Sequence, residues 1–354
     1  MAAKPEDVIR DEVRALAGYH VPDASGMVKL DAMENPYRLP EDVRRRLGEL
    51  VANAEINRYP DASAAGLKKA LRAALGVPAD QEIILGNGSD EIIQMLVMAT
   101  AKPGATVMSV APTFVMFRLI AEYCRVGYAS VPLNPDFSLD VERTLIALEE
   151  HKPALVFLAY PNNPTGNLFD DAAIEQVIRA APGLVVVDEA YHAFAGRTFM
   201  RRLNEFDNLL VMRTLSKSGL AGLRLGLVAG GREWLQHVDK VRLPYNVGVL
   251  TQIVAEEALR HSDLLEQQAA AIRAERGRLA DELAKVATTV YPSAANFILF
   301  RIEDADRINA GLKQRGILIK NLNGSHPSLA DCLRVTVGTI EENDRFIKAL
   351  KDAR

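Results

Sequence analysis

Seven short apolar runs, separated by helical stretches or loops, occupy the middle of this chain. They lie at residues 82–85, 106–110, 126–131, 154–159, 184–187, 209–213 and 225–229. Such runs indicate buried strands when they alternate with helical patterns, here at 89–101, 114–124, 140–149 and 170–181. Strands joined by helices form parallel sheets that are covered on both faces. The sequence therefore predicts an α/β fold with a mostly parallel seven-stranded sheet flanked by helices.

The length of 354 residues exceeds one ordinary hydrophobic core, which predicts more than one domain. We expect an N-terminal arm at 1–39, a large α/β domain at 40–245, and a linking helix with a small α+β domain at 246–354. The linking stretch covers 248–287, with a break near His261. The small domain should contain strands at 297–302, 317–319 and 332–336 and helices at 304–314 and 341–352.

Ahead of the predicted sheet, the pattern indicates three helices. The first, at 4–17, is short and amphipathic and is followed by a loop-rich arm at 18–40. The others lie at 40–52 and 63–75. Ser63 is a candidate N-cap of the last helix, and Gly76 is its expected stop.

Composition and charge narrow the function class. The net charge of −4 gives no indication of a nucleic-acid surface. No apolar run is long enough to predict a transmembrane helix, and the first residues lack the apolar region of a signal peptide, so we expect a cytoplasmic protein. Cys124 and Cys332 are expected to be buried free thiols. The six histidines form no ligand-spaced set, so no metal site is predicted.

Lys217 directly follows the apolar run 209–213 and a small polar turn. Ligands bind at the carboxyl ends of strands in open α/β sheets. Small residues after the lysine leave room for a ligand, and Arg224 supplies a fixed cation. A lysine near desolvated walls and other cations can lose its proton and form an imine with a carbonyl. Taken alone, the segment is also explained by a solvated surface lysine. The other loops decide whether Lys217 is a catalytic or a surface residue.

Two further loops carry groups that suit a ligand. At 85–91, a glycine turn precedes a helix start, and the free N–H groups around Gly88, Ser89 and Asp90 can bind a phosphate. An ordinary capped helix is the alternative, and a dinucleotide fingerprint is excluded because Glu91 stands where glycine is needed. At 160–166, two prolines fix the backbone around Asn163, whose amide can hydrogen-bond a phenolate oxygen.

The run 184–187 ends in an acid, which is a usual position for a site carboxylate in a parallel sheet. Asp188 can hold a protonated ring nitrogen there, and Tyr191 can reach the same face. His192 should point away from its two neighbours, so we interpret it as a packing or surface residue.

An anion site and a stacking residue complete the set. Ser216 and Arg224 suit a phosphate dianion. Phe114 can stack on a flat ring, with core packing as the alternative. A lysine, an acid, an amide, a phenol, a phosphate cradle and an aromatic lid together match the needs of pyridoxal phosphate.

These motifs carry a family resemblance. The segments PNNPTG at 161–166, DEAY at 188–191, SK at 216–217 and GLRLG at 222–226, in that order, resemble fold-type I pyridoxal-phosphate aminotransferases over nearly the whole chain. Within them, the histidinol-phosphate aminotransferase family shares the segments RYP at 58–60, GSDE at 88–91, PTF at 112–114, TLSK at 214–217 and CLRVTVGT at 332–339.

The resemblance implies roles around the cofactor. Lys217 would form the imine and move the proton between the substrate Cα and C4′ of the cofactor. Asp188 would pair with the pyridinium nitrogen. Asn163 and Tyr191 would face the ring oxygen, and Phe114 would stack on the ring. The residues that would surround the phosphate are Gly88, Ser89, Asp90, Ser216 and Arg224.

The resemblance also implies a homodimer, in which Tyr59 crosses from the second subunit to the cofactor phosphate. Arg334 would bind the carboxylate of glutamate or the phosphate of the other substrate. Tyr19 would line the substrate pocket, and Lys320 stands where an arginine often helps to hold the substrate phosphate. Lysine keeps the charge but loses the planar fork of arginine.

Two more positions depart from the family pattern. Met33 replaces a familiar asparagine in the segment AMENP at 32–36. The spacing from Lys217 to Arg224 is one residue shorter than is usual in the wider superfamily.

The resemblance implies transamination between L-histidinol phosphate and 2-oxoglutarate, which yields imidazole acetol phosphate and L-glutamate in histidine biosynthesis. An aromatic amino-acid aminotransferase and a phosphothreonine decarboxylase on the same scaffold are the alternatives. A cofactor-binding regulator without turnover is a third alternative, which the complete set of catalytic groups disfavours.

Overall fold

The structure is a computed structural model that describes residues 3–18 and 21–354. Tyr19, predicted to line the substrate pocket, lies outside the described residues. The strands of the described residues are β1 Val28–Leu30, β2 Glu82–Asn87, β3 Thr106–Ala111, β4 Gly127–Pro132, β5 Leu155–Ala159, β6 Leu184–Asp188, β7 Leu209–Thr214, β8 Leu225–Gly230, β9 Thr289–Val290, β10 Phe297–Arg301, β11 Ile317–Asn321 and β12 Cys332–Thr336.

Helices connect these strands. The α-helices are α1 Pro5–Val8, α2 Asp11–Ala15, α3 Glu41–Ala52, α4 Ala65–Leu75, α5 Ser89–Thr100, α6 Met116–Tyr123, α7 Val141–His151, α8 Asp171–Ala180, α9 His192–Ala195, α10 Arg232–Val238, α11 Val249–Leu259, α12 Ser262–Ala284, α13 Ala305–Gln314 and α14 Ile340–Ala353. A π-turn at Ser216–Leu220 and short 3₁₀ turns, including Met200–Glu205 and Ala221–Leu223, lie in the connections.

The seven predicted strands form one sheet in the order β2-β8-β7-β6-β5-β3-β4. Neighbouring strands are parallel except β8, which runs antiparallel to β2 and β7. The predicted α/β fold with a mostly parallel seven-stranded sheet is confirmed.

Both faces of this sheet are covered, which explains why its central strands are continuous apolar runs. Every residue of β5, β6, β7 and β8 is buried. Side chains alternate between the faces: Leu209 and Val211 belong to one apolar cluster, and Leu210 and Met212 to another.

A second, smaller sheet has the order β1-β11-β12-β10-β9. Its outer strand β1 comes from the predicted loop-rich arm and pairs in parallel with β11 near the other end of the chain. The long helical stretch breaks where predicted, between α11 and α12. The division of the chain into domains at 1–39, 40–245 and 246–354 stays a prediction.

Local predictions before the large sheet were partly wrong. The single helix expected at 4–17 is two short helices, α1 and α2, without buried residues. Ser63 is not the N-cap of α4, because Ala64 occupies that position, and the Asp61 carboxylate accepts from the backbone N–H groups of Ser63 at 2.9 Å and Ala65 at 3.0 Å. Gly76 ends α4 in a left-handed conformation, as expected.

Within residues 3–18 and 21–354, none of the helices combines the length and the apolarity that crossing a lipid bilayer requires.

Two glycines provide a matched test of the packing between β5 and β6. A Cβ atom on Gly183 would lie 2.3 Å from the Ala154 carbonyl oxygen, whereas one on Gly48, inside α3, meets nothing within 4 Å. We expect Gly183→Ala to lower the free energy of unfolding by about 1–3 kcal/mol or more through overpacking. Gly48→Ala should raise it by about 0.5–1 kcal/mol. Urea unfolding of the two variants measures both, and equal effects would contradict the packing described.

Candidate active site

A pocket opens where β5, β6 and β7 end and encloses about 570 Å³ of space, part of it open to solvent. Most predicted cofactor residues line it. The lining residues are Met33, Ser89, Asp90, Phe114, Ala159, Pro161, Asn163, Asp188, Ala190, Tyr191, Thr214, Ser216, Lys217 and Arg224. The carboxyl edge of the sheet brings these residues together from distant parts of the chain.

Lys217 stands in the π-turn that follows β7, and its ammonium group donates to the Ala32 carbonyl at 3.1 Å. Desolvation in the pocket, together with the nearby Arg334, lowers the pKa of Lys217 to about 8, against the opposing charges of Glu34 and Asp90. The amine therefore loses its proton more readily than an ordinary lysine, which a nucleophile or base requires.

Asp188 is the last residue of β6 and is 4% exposed. Its carboxylate accepts from the Ala190 backbone N–H at 3.0 Å. Burial raises the pKa of Asp188 to about 7, with smaller contributions from Asp90 and Glu189. Among the described residues no salt bridge to Asp188 is formed. A buried carboxyl group without a salt bridge is stabilised by a ligand that carries a positive charge or donates a proton to it.

The start of α5 and Arg224 form an anion cradle. Gly88 precedes the helix with a φ of 79°, which suits glycine. The Arg224 guanidinium lies 3.4 Å from Ser216 Oγ and 3.6 Å from an Asp90 carboxylate oxygen. Added Cβ atoms on Gly88 and Gly226 would come within 2.7 Å of Arg224 Nη2 and of the Gly88 backbone carbon, respectively. Both glycines are therefore needed for the close approach of loop and arginine.

The shorter spacing between Lys217 and Arg224 is accommodated by tight turns. Gly219 has a φ of 104° inside the π-turn, and a 3₁₀ turn at Ala221–Leu223 follows. Arg224 then adopts a left-handed backbone with a φ of 48°. These turns direct the arginine back toward Ser216.

Aromatic and amide groups form the remaining walls. Phe114 packs edge-on against Phe117, with ring centroids 5.6 Å apart, and Tyr191 packs against Phe297 at 5.1 Å. Burial raises the pKa of Tyr191 above its ordinary value. Asn163 accepts a hydrogen bond from Arg334 on its amide oxygen, so the orientation of the amide is fixed and its NH₂ group is the donor for a ligand.

Arg334, Lys320 and Tyr59 are not among the residues that line this pocket. Arg334 is 7% exposed and also donates to the Asp31 carbonyl at 3.0 Å. Lys320 is exposed and lies opposite Arg334 in the register of β11 and β12. Tyr59 is 82% exposed and stacks on Tyr245, with ring centroids 4.5 Å apart.

His192 does not line the pocket either, in agreement with its interpretation as a packing residue. Its Nδ1 lies 3.2 Å from the Glu189 carbonyl oxygen. Burial and the nearby Arg213 lower the pKa of His192.

Two features of the site were missed by the sequence patterns. Met33 lines the pocket with a left-handed backbone, held by hydrogen bonds from its N–H to Thr336 Oγ1 and from Asn296 to its carbonyl, both at 2.9 Å. Behind Asp188, the buried Glu189 pairs with Arg213 at 2.8 Å. A charged residue inside the apolar run 209–213 was the signal for the second feature.

The pocket suits pyridoxal phosphate on chemical grounds. Lys217, with its lowered pKa, can react with an aldehyde, and the buried Asp188 can bind a basic ring nitrogen. The glycine turn at Gly88, together with Arg224 and Ser216, can bind a phosphate. Within the described residues, no group of three or more His, Cys, Asp or Glu side chains is arranged to hold a metal ion.

The raised pKa of Asp188 predicts how the stability of the cofactor-free protein changes with pH. Because the folded state binds this proton more tightly than the unfolded state, the free energy of unfolding falls as the pH rises from near 4 to about 7. We expect Asp188→Asn to stabilise the protein by about 2–4 kcal/mol near pH 8 and by less, about 1–2 kcal/mol, near pH 5, where only part of the loss has developed.

Urea unfolding at the two pH values measures this difference. Asp281→Asn, at an exposed position of α12, is the control and should change stability little at either pH. The same stabilisation of Asp188→Asn at both pH values would contradict the proposed burial of an unpaired carboxylate.

Comparison with known proteins agrees with this geometry. The sequence model of the family "Aminotransferase class I and II" matches residues 25–350. Histidinol-phosphate aminotransferase 1 of Burkholderia lata is 54% identical over 98% of this chain and 98% of its own length. Histidinol-phosphate aminotransferase 2 of Cupriavidus pinatubonensis is 54% identical over 97% of this chain and 96% of its own length.

Among solved structures, the histidinol-phosphate aminotransferase of Sinorhizobium meliloti in complex with pyridoxal-5′-phosphate is similar, with a TM-score of 0.87 and 25% identity. The similarity covers 98% of this chain and 97% of that one. Since the matches extend over nearly its whole length, the chain belongs to the aminotransferase class I and II family and is a pyridoxal-phosphate-dependent transaminase.

Proposed function

We propose that this protein interconverts L-histidinol phosphate and 2-oxoglutarate with imidazole acetol phosphate and L-glutamate, a step of histidine biosynthesis. The observation that carries the chemistry is that Lys217 and Asp188, with pKa values shifted in opposite directions, line one pocket. The choice of substrate is supported by the 54% identity to two histidinol-phosphate aminotransferases.

When bound, pyridoxal phosphate supplies an aldehyde for the amino group and a ring that accepts electrons from the substrate Cα. Nζ of Lys217 would take the proton from the substrate Cα and deliver it to C4′ of the cofactor. A lysine with a pKa of about 8 suits this work because it can exist as the free amine near neutral pH. Asp188 would hold the ring nitrogen in its protonated form, for which it is well suited because it is buried and forms no salt bridge within the described part of the chain.

The remaining pocket residues would bind and orient. Phe114 would cover one face of the ring, and the Asn163 amide and the Tyr191 hydroxyl would donate to the ring oxygen. Backbone N–H groups at Gly88, Ser89 and Asp90 would bind the phosphate together with side chains. Those side chains are Ser216 and Arg224 of this subunit and Tyr59 of a second one.

L-Glutamate and L-histidinol phosphate must bind in the same pocket, although glutamate carries a carboxylate where histidinol phosphate carries a phosphate. We assign the binding of these two anions to Arg334, which donates to the pocket residue Asn163, and to its neighbour Lys320 across β11 and β12, together with Tyr19. Arginine binds either anion through two parallel hydrogen bonds, whereas lysine adds charge without a fixed direction.

A homodimer in the cytoplasm is the assembly we propose. Large apolar side chains are exposed near Tyr59, with Ile56 74% exposed and Leu243 70% exposed. Tyr59 and Tyr245 add a stacked aromatic pair to this surface. Large exposed apolar patches are typical of surfaces that a partner covers, and a second copy would bring Tyr59 to the neighbouring site.

The role of Lys217 is tested by replacing it. We expect Lys217→Ala to lower kcat by a factor of about 100 to 10,000 or more, because the general base is lost. The variant should still bind the cofactor, and the absorption band of the lysine adduct should be absent. Lys320→Ala is the comparison, and it should mainly raise KM for the phosphorylated substrate. Retention of the adduct band in Lys217→Ala would show that another lysine carries this role.

A substrate panel tests the reaction itself. Histidinol phosphate should be converted faster than phenylalanine, and O-phosphothreonine should release no carbon dioxide. Equal rates with phenylalanine would favour an aromatic amino-acid aminotransferase, and carbon dioxide release would favour a decarboxylase. If glutamate never converts the bound cofactor to its amino form, that result would contradict transamination.

Mixed dimers test the position of Tyr59. Lys217→Ala and Tyr59→Ala subunits are each expected to be impaired. If Tyr59 acts on the neighbouring site, mixed dimers contain one intact site, and random mixing should restore about a quarter of wild-type activity. Mixing Lys217→Ala with Asp188→Ala subunits is the control: both residues act within one subunit, so no mixed dimer contains an intact site and activity should not recover. No recovery in the first mixture would contradict the crossing of Tyr59.

A further inference from the structure

Glu189 and Arg213 form a buried ion pair immediately behind the pocket. Their side chains are 0% and 5% exposed. Nε and Nη2 of Arg213 donate to the same carboxylate oxygen of Glu189 at 2.9 and 2.8 Å. Nη1 donates to the Leu75 carbonyl at 2.9 Å, and Nη2 also donates to Thr198 Oγ1 at 2.8 Å. All three nitrogens of the guanidinium are therefore used.

The pair lies next to the two proposed catalytic residues in the chain. Glu189 directly follows Asp188, and Arg213 precedes the turn that carries Lys217. Asp188 is in register with Met212, and the Glu189 N–H donates to the Met212 carbonyl at 2.8 Å. Since neighbouring side chains on a strand point to opposite faces, Asp188 faces the pocket while Glu189 meets Arg213 behind the sheet.

A contribution to stability alone gives little reason for such a pair. Two charges removed from water cost several kcal/mol each, and well-packed apolar residues of similar volume are often as stable or more stable. An arginine that donates from Nε, Nη1 and Nη2 to three different residues does, however, define distance and direction strictly. The Glu189 carboxylate also accepts from Thr198 Oγ1 at 2.8 and 2.9 Å and from the Phe199 N–H, so the network joins β6, β7, the end of α4 and the segment after α9.

We propose that Glu189 and Arg213 are positioning residues, which fix the ends of β6 and β7 so that Asp188 and Lys217 address the same ligand. This inference rests on the proposed roles of Asp188 and Lys217. The pair touches neither substrate nor cofactor and acts only through the backbone of its neighbours. The positive charge of Arg213 also stabilises the buried Glu189 carboxylate next to Asp188.

The first test is Arg213→Lys, which keeps the charge and loses the planar fork. In the cofactor-loaded enzyme, we expect kcat to fall by about 10- to 100-fold with a small change in KM, because the reacting groups are misplaced. The pH midpoint of the visible absorption of the cofactor should shift as well. Arg202→Lys is the control, because Arg202 pairs with Glu175 at 2.8 Å away from the pocket, and it should change neither quantity.

The second test separates positioning from stability. Glu189→Gln combined with Arg213→Met removes both charges, so the unfolding free energy should recover relative to Arg213→Met alone, while kcat and the absorption midpoint should not recover. Recovery of kcat together with stability would overturn the proposal, and so would a folded Arg213→Lys protein with unchanged kcat and midpoint.

If the arginine variants do not fold, Thr198→Val provides a milder change, because it removes one hydroxyl that binds both partners. A shifted absorption midpoint in this variant supports the proposal, and an unchanged one overturns it. A Lys217→Ala protein that keeps its turnover would instead contradict the proposed function, so the two failures are distinguishable.

Discussion

The site depends on holding two ionisable groups of opposite type at the ends of neighbouring strands with little water around them. Restricted solvation brings the pKa of Lys217 down to about 8 and that of Asp188 up to about 7. This is possible only because the strands behind them are buried on both faces and cannot admit water. The continuous apolar composition of β6 and β7 is thus a requirement of the chemistry as well as of the fold.

The large sheet and most of the pocket were predictable because their signals are local. Each strand is a short apolar run, and most of the ligand-facing groups lie within a few residues of the end of one of those runs. What was missed depends on distant partners. β1 has three residues and gains its partner only from β11, and Glu189 meets Arg213 only after β6 and β7 pair. The cap of α4 was assigned to Ser63 because a serine next to a helix is a usual cap, whereas Asp61 reaches further along the turn.

Two departures from the family pattern have a physical reading in the structure. Met33 holds a left-handed backbone, a conformation that asparagine adopts at a lower cost than methionine does. Its backbone groups are bound on both sides and its side chain is 8% exposed, so packing and hydrogen bonds offset that cost. The shorter connection from Lys217 to Arg224 is absorbed by a glycine with positive φ and a tight 3₁₀ turn. Met33 lines the pocket with an apolar side chain in place of an amide, and Arg224 still reaches the pocket.

The pairing of β1 with β11 has a consequence for the growing chain at the ribosome. The large sheet is complete once residue 230 has been synthesised, so its core can close while the rest is still being translated. β1 is made before the large sheet but can pair only after residues 317–319 have been synthesised. Until then the segment that carries Ala32 and Met33 lacks this strand pairing, so the nascent chain can form the large sheet earlier than the finished pocket.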